Sequence, residues 1–249
     1  LVSKSDPAIT DTDCDGLSDG REIDIGTDPC LADTDGDGLS DSSQASWIVV
    51  ATNGLARWID TSSLTNRTVL WTEFDHQSSR LDAPVPFRLF GHSLSNLAVN
   101  ANGVARWTGQ RRTLSSGGNW NDTADGLPVV SDPCVTVAGF WDDLFADPST
   151  TSSVSVALAE TNGVRTSVVE FLRAGFYEGT TNDKVSFQIQ FSDTETNTVH
   201  VVFAEASGLG TGSSATLGFR SSCGSSAEYS FNEDGAVFPG LAITYHVGA

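Results

Sequence analysis

The sequence predicts an all-β chain: an antiparallel β-sandwich of Greek-key or jelly-roll type, preceded by a short acidic segment. Three observations predict it. From Ser46 onward, short alternating apolar runs recur between Asn-Gly, Asp-Gly, Ser and Thr clusters. That region carries no convincing helical period. Ahead of it, residues 1–44 hold twelve acids against two bases, about half of the net charge of −19 carried by the 249 residues.

The acidic segment contains two loops of one pattern. Asp11, Asp13, Asp15 and Asp19 alternate around Gly16 and Leu17, and Glu22 follows at the twelfth position. Asp33, Asp35, Asp37 and Asp41 repeat the spacing around Gly38 and Leu39, with Gln44 at the twelfth position. A hard cation such as Ca2+ takes six to eight oxygens, and alternate carboxylates on a tightly turned loop supply them. Gly allows the sharp turn, and Leu17 and Leu39 offer backbone carbonyls. The competing reading, an acidic solvated linker, does not explain why the spacing occurs twice. Between the loops, Ile23-Asp-Ile-Gly-Thr-Asp28-Pro29 carries Gly and Pro punctuation and leaves no room for the two helices of an EF-hand.

The unit Asp-Thr-Asp-Gly-Asp-Gly-Leu-Ser-Asp, with Gly-Thr-Asp-Pro between copies, resembles bacterial thrombospondin type 3 repeats over roughly residues 10–44. The resemblance implies a short calcium-bound stalk on a secreted or cell-surface protein, with Asp24 and Asp28 as extra ligands. It divides the chain into residues 1–45, the calcium-binding segment, and residues 46–249, the sandwich.

Cys14 and Cys30 fall in the acidic segment, and Cys134 and Cys223 in the remainder. The economical pairing is Cys14 with Cys30 and Cys134 with Cys223, one of three connectivities. A zinc site is the rival, but no Cys or His spacing supports it. Disulfides imply an oxidising, extracellular setting.

The strand candidates follow in order: 47–51, 55–59, 69–74, 87–90, 97–99 and 104–107, then 135–140, 154–158, 167–172, 185–191, 199–204, 215–219 and 241–245. Asn53-Gly54, Asn102-Gly103 and Asn162-Gly163 read as hairpin turns, since such turns need positive φ at the centre. The run Val50 to Trp58 echoes Val99 to Trp107, each placing Asn-Gly before Ala-Arg-Trp, and reads as convergent hairpin chemistry. Pro86-Phe-Arg-Leu-Phe90-Gly91, the strand through Asn102-Gly103, and Phe140-Trp141-Asp142-Asp143-Leu144 are similar to motifs of nidogen-like extracellular domains. This second resemblance covers roughly residues 80–247 and implies a non-catalytic module used in adhesion or matrix assembly.

Other groups favour plain readings. Asp142 and Asp143, with Asp147 and Glu170, form a candidate third calcium site, but a strand-end turn capped by Asp is the simpler account. Lys184 reads as an exposed strand-end Lys, and His200 as a strand side chain. Trp120, in a polar loop, is the best candidate for an aromatic ligand contact. Asn66 and Asn121 begin glycosylation sequons. No G-x-S-x-G elbow occurs.

The acidity argues against nucleic acid and anionic membrane surfaces as partners. No apolar run is long enough to span a membrane. A start at Leu1 without Met or a signal peptide reads as a mature, processed product. The functional expectation is a secreted, calcium-binding structural or adhesive surface protein without catalytic activity. It extends to the subunit of an extracellular filament or matrix, by self-association or through other surface proteins or glycans. The alternative is a ligand- or carbohydrate-binding accessory module of a larger secreted protein.

Overall fold

The computed structural model describes residues 11–15, 17–25, 27–34, 40–44, 48–52, 56–75, 77–89, 92–108, 135–146, 151–177, 179–220 and 226–247. Two short helices, α1 (Asp19–Ile25) and α2 (Asp41–Gln44), belong to the acidic segment. The strands are β1 (Ile48–Ala51), β2 (Thr68–Trp71), β3 (Ser78–Leu89), β4 (His92–Asn100), β5 (Val104–Thr108), β6 (Val135–Trp141) and β7 (Leu144–Ala146). They continue as β8 (Ser153–Thr161), β9 (Val164–Phe176), β10 (Lys184–Ser192), β11 (Thr198–Ser207), β12 (Thr216–Arg220), β13 (Ser226–Phe231) and β14 (Ala242–Val247).

They form two antiparallel sheets. The larger runs β1-β14-β11-β10-β9-β8-β2, with β7 also on β9, and the smaller runs β13-β12-β6-β5-β4-β3. One apolar core lies between them. Val169 and Phe171 of β9, Phe187 and Ile189 of β10, and Val201 and Phe203 of β11 meet Trp107, Val137 and Phe140 from the facing sheet. Alternation places these residues inward and their neighbours outward.

Phe187 is the hub. Its ring stacks on Phe171 at 4.6 Å and 8°, and lies 5.8 Å from Phe203 and 6.3 Å from Phe140. Truncating so buried a ring removes its burial energy and leaves a cavity. Phe187→Ala is expected to destabilise the sandwich by about 3–5 kcal/mol, read as a lower urea midpoint with an unchanged slope.

The sequence reading and the structure differ in instructive places. Residues 56–61 form no strand; they are laid as a strap over the outer face of the larger sheet. Gln188 holds the strap by accepting the Ile59 N–H at 3.0 Å and donating to the Ile59 carbonyl at 2.7 Å. The echo between Trp58 and Trp107 is therefore not a structural repeat: Trp107 is core, whereas Trp58 stays half-buried outside. β3 is far longer than its apolar end suggests and runs through Pro84 and Pro86. It tolerates both prolines because it is an edge strand, where a missing N–H costs no ladder bond.

Lys184 is buried, with 6% of its surface exposed, contrary to the expected strand-end exposure. The 3₁₀ turn Gly208–Thr211 packs on the start of β10, where Gly210 lies against the Lys184 carbonyl. Asp142 caps a turn, as the simpler account holds: Oδ1 accepts the Asp143 N–H at 2.8 Å and Oδ2 accepts the Ser214 hydroxyl at 2.6 Å. Burial holds its pKa above the usual carboxylate value, partly offset by those bonds. Glu170 is committed to partners on the outer face of the larger sheet. Asp147, Trp120, Asn121 and the Asn53-Gly54 turn lie outside the described residues.

Candidate metal centre

The first loop is shaped by its own aspartates. Asp11 Oδ1 accepts the Cys14 N–H at 2.8 Å, Asp13 Oδ1 accepts the Asp15 N–H at 3.1 Å, and Asp15 Oδ1 accepts the Leu17 N–H at 2.7 Å. Each bond turns the backbone locally, as Asp side chains do in tight turns. The result brings one carboxylate oxygen from each of Asp11, Asp13 and Asp15 within 4.8 Å of one another.

Helix α1 then delivers Glu22. Its N–H closes the first helical turn on the Ser18 carbonyl at 2.9 Å. Its side chain is 0% exposed, and neither carboxylate oxygen has a hydrogen-bond partner among the described residues. Asp13 Oδ2 is likewise buried and unpartnered. Burial is the main reason the Glu22 carboxyl is pushed up to about 8, followed by repulsion from Asp13, Asp15, Asp41 and Asp19. Asp13 and Asp41 are also raised, chiefly by burial. A buried, unpaired carboxylate among carboxylates is strongly unfavourable unless a cation neutralises it. The donors are all hard oxygens, so the residues fit Ca2+ and supply its usual chemistry of carboxylate coordination.

Asp19 and Asp41 each also hold a threonine at the start of their loop. Asp19 accepts the Thr12 N–H at 2.7 Å and the Thr12 hydroxyl at 2.6 Å. Asp41 accepts the Thr34 N–H at 3.0 Å and the Thr34 hydroxyl at 2.6 Å. These matched clamps, seven residues apart in sequence, close each loop on itself. The second repeat also reaches the first: Ser42 donates its N–H to Asp15 Oδ2 at 2.9 Å and its hydroxyl to the Asp15 carbonyl.

The sequence reading missed Thr12, Thr34 and Ser42. The Thr-to-Asp spacing, repeated in both loops, was the available signal. Leu17 is buried. Asp28 accepts the Cys30 N–H at 3.1 Å and shapes the turn into the second loop. Asp33 is half-buried. Asp35, Asp37 and Leu39, and the side chain of Asp24, lie outside the described residues.

The expected bridge between Cys14 and Cys30 does not form; both are exposed thiols. Cys14 stands at φ 62°, with its N–H on Asp11 and its Sγ turned back toward the Asp11 carbonyl at 4.0 Å. That conformation serves the loop and directs the thiol at its own turn. Cys134 and Cys223 lie outside the described residues. Among the described residues, no helix is long and apolar enough to cross a membrane.

Residues 11–32 and 33–42 match the model of the bacterial TSP3 repeat, and residues 48–239 match the model of the family described as NIDO related. No protein with a curated description and no solved structure matches the chain significantly.

Proposed function

Because the chain belongs to the NIDO-related family, with TSP3 repeats ahead of that region, we propose that it is a secreted, calcium-binding structural or adhesive surface protein with no catalytic activity of its own. Residues 1–45 act as a stalk that calcium stiffens, and residues 46–249 form the module the stalk presents. The observation that supports this reading is Glu22: a carboxylate wholly withdrawn from water, unpartnered among the described residues, and repelled by Asp13 and Asp15. Either a bound proton or a bound cation relieves that arrangement, and a divalent cation is the one that also satisfies the neighbouring aspartates. Asp11, Asp13, Asp15 and Glu22 hold the first ion.

Calcium binding displaces the proton that Glu22 carries at neutral pH, because its pKa of about 8 lies above that pH. Titration calorimetry at pH 7 in two buffers of different ionisation enthalpy is expected to show release of roughly one proton from this site. Identical heats in the two buffers would remove the assignment.

The filament version of this reading requires an open sheet edge. β14 is already flanked by β1 and β11, so a neighbour's strand would add beside β1, β2, β3 or β13. Light scattering on a calcium-loaded sample tests it: long polymers that chelator disperses support a fibre subunit, and a sharp monomer peak at high concentration sinks that version.

A further inference from the structure

We propose that a cavity on the outer face of the larger sheet binds a neutral, polyhydroxylated ligand, a short carbohydrate chain. The cavity has a volume of about 600 Å3 and opens between the strap at residues 56–61, the turns that follow it to residue 67, and strands β2, β8 and β9. That is the size of small-molecule sites, in which a few fixed polar groups orient a ligand against an apolar wall.

The floor is built and charge-neutral. Glu170 is only 3% exposed. Its Oε1 accepts the Thr61 hydroxyl at 2.8 Å and Arg67 Nη2 at 3.4 Å, and its Oε2 accepts the Gln188 amide at 2.8 Å. Arg67 also donates to Ser155 at 3.1 Å and Ser153 at 3.3 Å. Arg67 and Glu170 cancel, so the floor offers directional hydrogen bonds without drawing an anion. The rest of the rim carries the exposed Asp60 carboxylate, which accepts the Ser62 N–H and hydroxyl and further disfavours an anion, and the hydroxyls of Thr72, Thr151 and Ser152.

Trp58 is the apolar wall, and its backbone is fixed on both sides. Gln190 donates to the Arg57 carbonyl at 2.9 Å, and Gln188 takes both backbone groups of Ile59. The two glutamines are themselves joined at 2.7 Å. A buried polar network therefore holds the strap on either side of one half-buried indole. Such anchoring lowers the ordering cost of binding. An indole offers a flat apolar face with a polar N–H, which suits the C–H face and hydroxyl rim of a sugar ring. This inference goes beyond the calcium reading, since no described residue of the acidic segment lines the cavity.

The test is saturation-transfer NMR and titration calorimetry with neutral trisaccharides: cellotriose, xylotriose, mannotriose, laminaritriose and triacetylchitotriose. Trigalacturonate serves as the charged comparator. At least one neutral sugar is expected to bind, with affinity lowered at least tenfold in Trp58→Ala and partly kept in Trp58→Phe. Both variants should melt like the parent and titrate calcium like it, which separates failure here from failure of the calcium reading. No neutral sugar bound at millimolar concentration, a preference for trigalacturonate, or unchanged affinity in Trp58→Ala would each overturn the proposal.

Discussion

Glu22→Gln is expected to weaken calcium binding at least tenfold and yet to stabilise the same segment in chelator. The two effects have opposite sign because one side chain plays two roles. With calcium present, the Glu22 carboxylate is a ligand and its charge is needed. Without calcium, the charge is buried beside Asp13, Asp15, Asp41 and Asp19 and opposes folding. Gln keeps the shape and removes the charge.

The pH dependence follows from the direction of the shift. Glu22 has a folded pKa of about 8 against an ordinary value of 4.5. Between those values the folded segment holds a proton that the unfolded segment lacks, so stability falls as pH rises. The penalty is absent below the ordinary value, grows through neutrality and is complete above about 8. Hydrogen exchange of the α1 amides in chelator should therefore quicken as pH rises toward 8, after correction for intrinsic rates, and Glu22→Gln should blunt that trend. Asp13 and Asp41 are raised in the same direction, so some dependence will persist in the variant. A variant less protected than the parent in chelator would show that Glu22 supports the fold by other means.

Much of this site was legible because metal chemistry imposes spacing. Alternate Asp residues, a Gly and a distant Glu announce a cation loop from sequence alone. What the spacing could not convey is division of labour among identical carboxylates. Asp19 and Asp13 look equivalent on paper, yet Asp19 faces Thr12 while Asp13 turns an oxygen into the buried centre. The seven-residue helix α1 was also missed, since Gly and Pro punctuation read as a bar to helix near the loops.

In the sandwich, alternation located the central strands well, because inward residues there are uniformly apolar. It failed at the strap, where Leu55 to Ile59 alternates like a strand in sequence but the described residues 56–59 pair with no strand. There the glutamines of β10 replace a strand partner, a tertiary arrangement with no local trace. The short β7 and the polar β13 lack enough apolar alternation to be seen.

Gly103→Ala is expected to cost more than 3 kcal/mol, and Gly163→Ala only about 1 kcal/mol, although both are Asn-Gly turns. The hairpin of β8 and β9 pairs Thr161 with Val164, leaving a two-residue turn in which Asn162 (φ 54°) and Gly163 (φ 79°) are both left-handed. That is the pattern Asn-Gly favours. A Cβ on Gly163 meets nothing within 4 Å, so only the backbone preference is lost. The hairpin of β4 and β5 pairs Asn100 with Val104 around a three-residue loop, and there Gly103 is at φ 83°. Its Cβ would fall 1.8 Å from the Phe140 carbonyl oxygen, a backbone atom. The approach is close because the Gly103 carbonyl accepts the N–H groups of Gly139 at 3.1 Å and Phe140 at 3.4 Å. The turn is thus bonded to the strand that leads into Phe140-Trp141-Asp142-Asp143-Leu144. Moving it apart would open the β5–β6 ladder and shift Phe140 from the aromatic core. Urea unfolding of the two variants side by side separates the effects. Equal midpoints would mean that the turn conformation alone matters and that the contact with β6 yields freely.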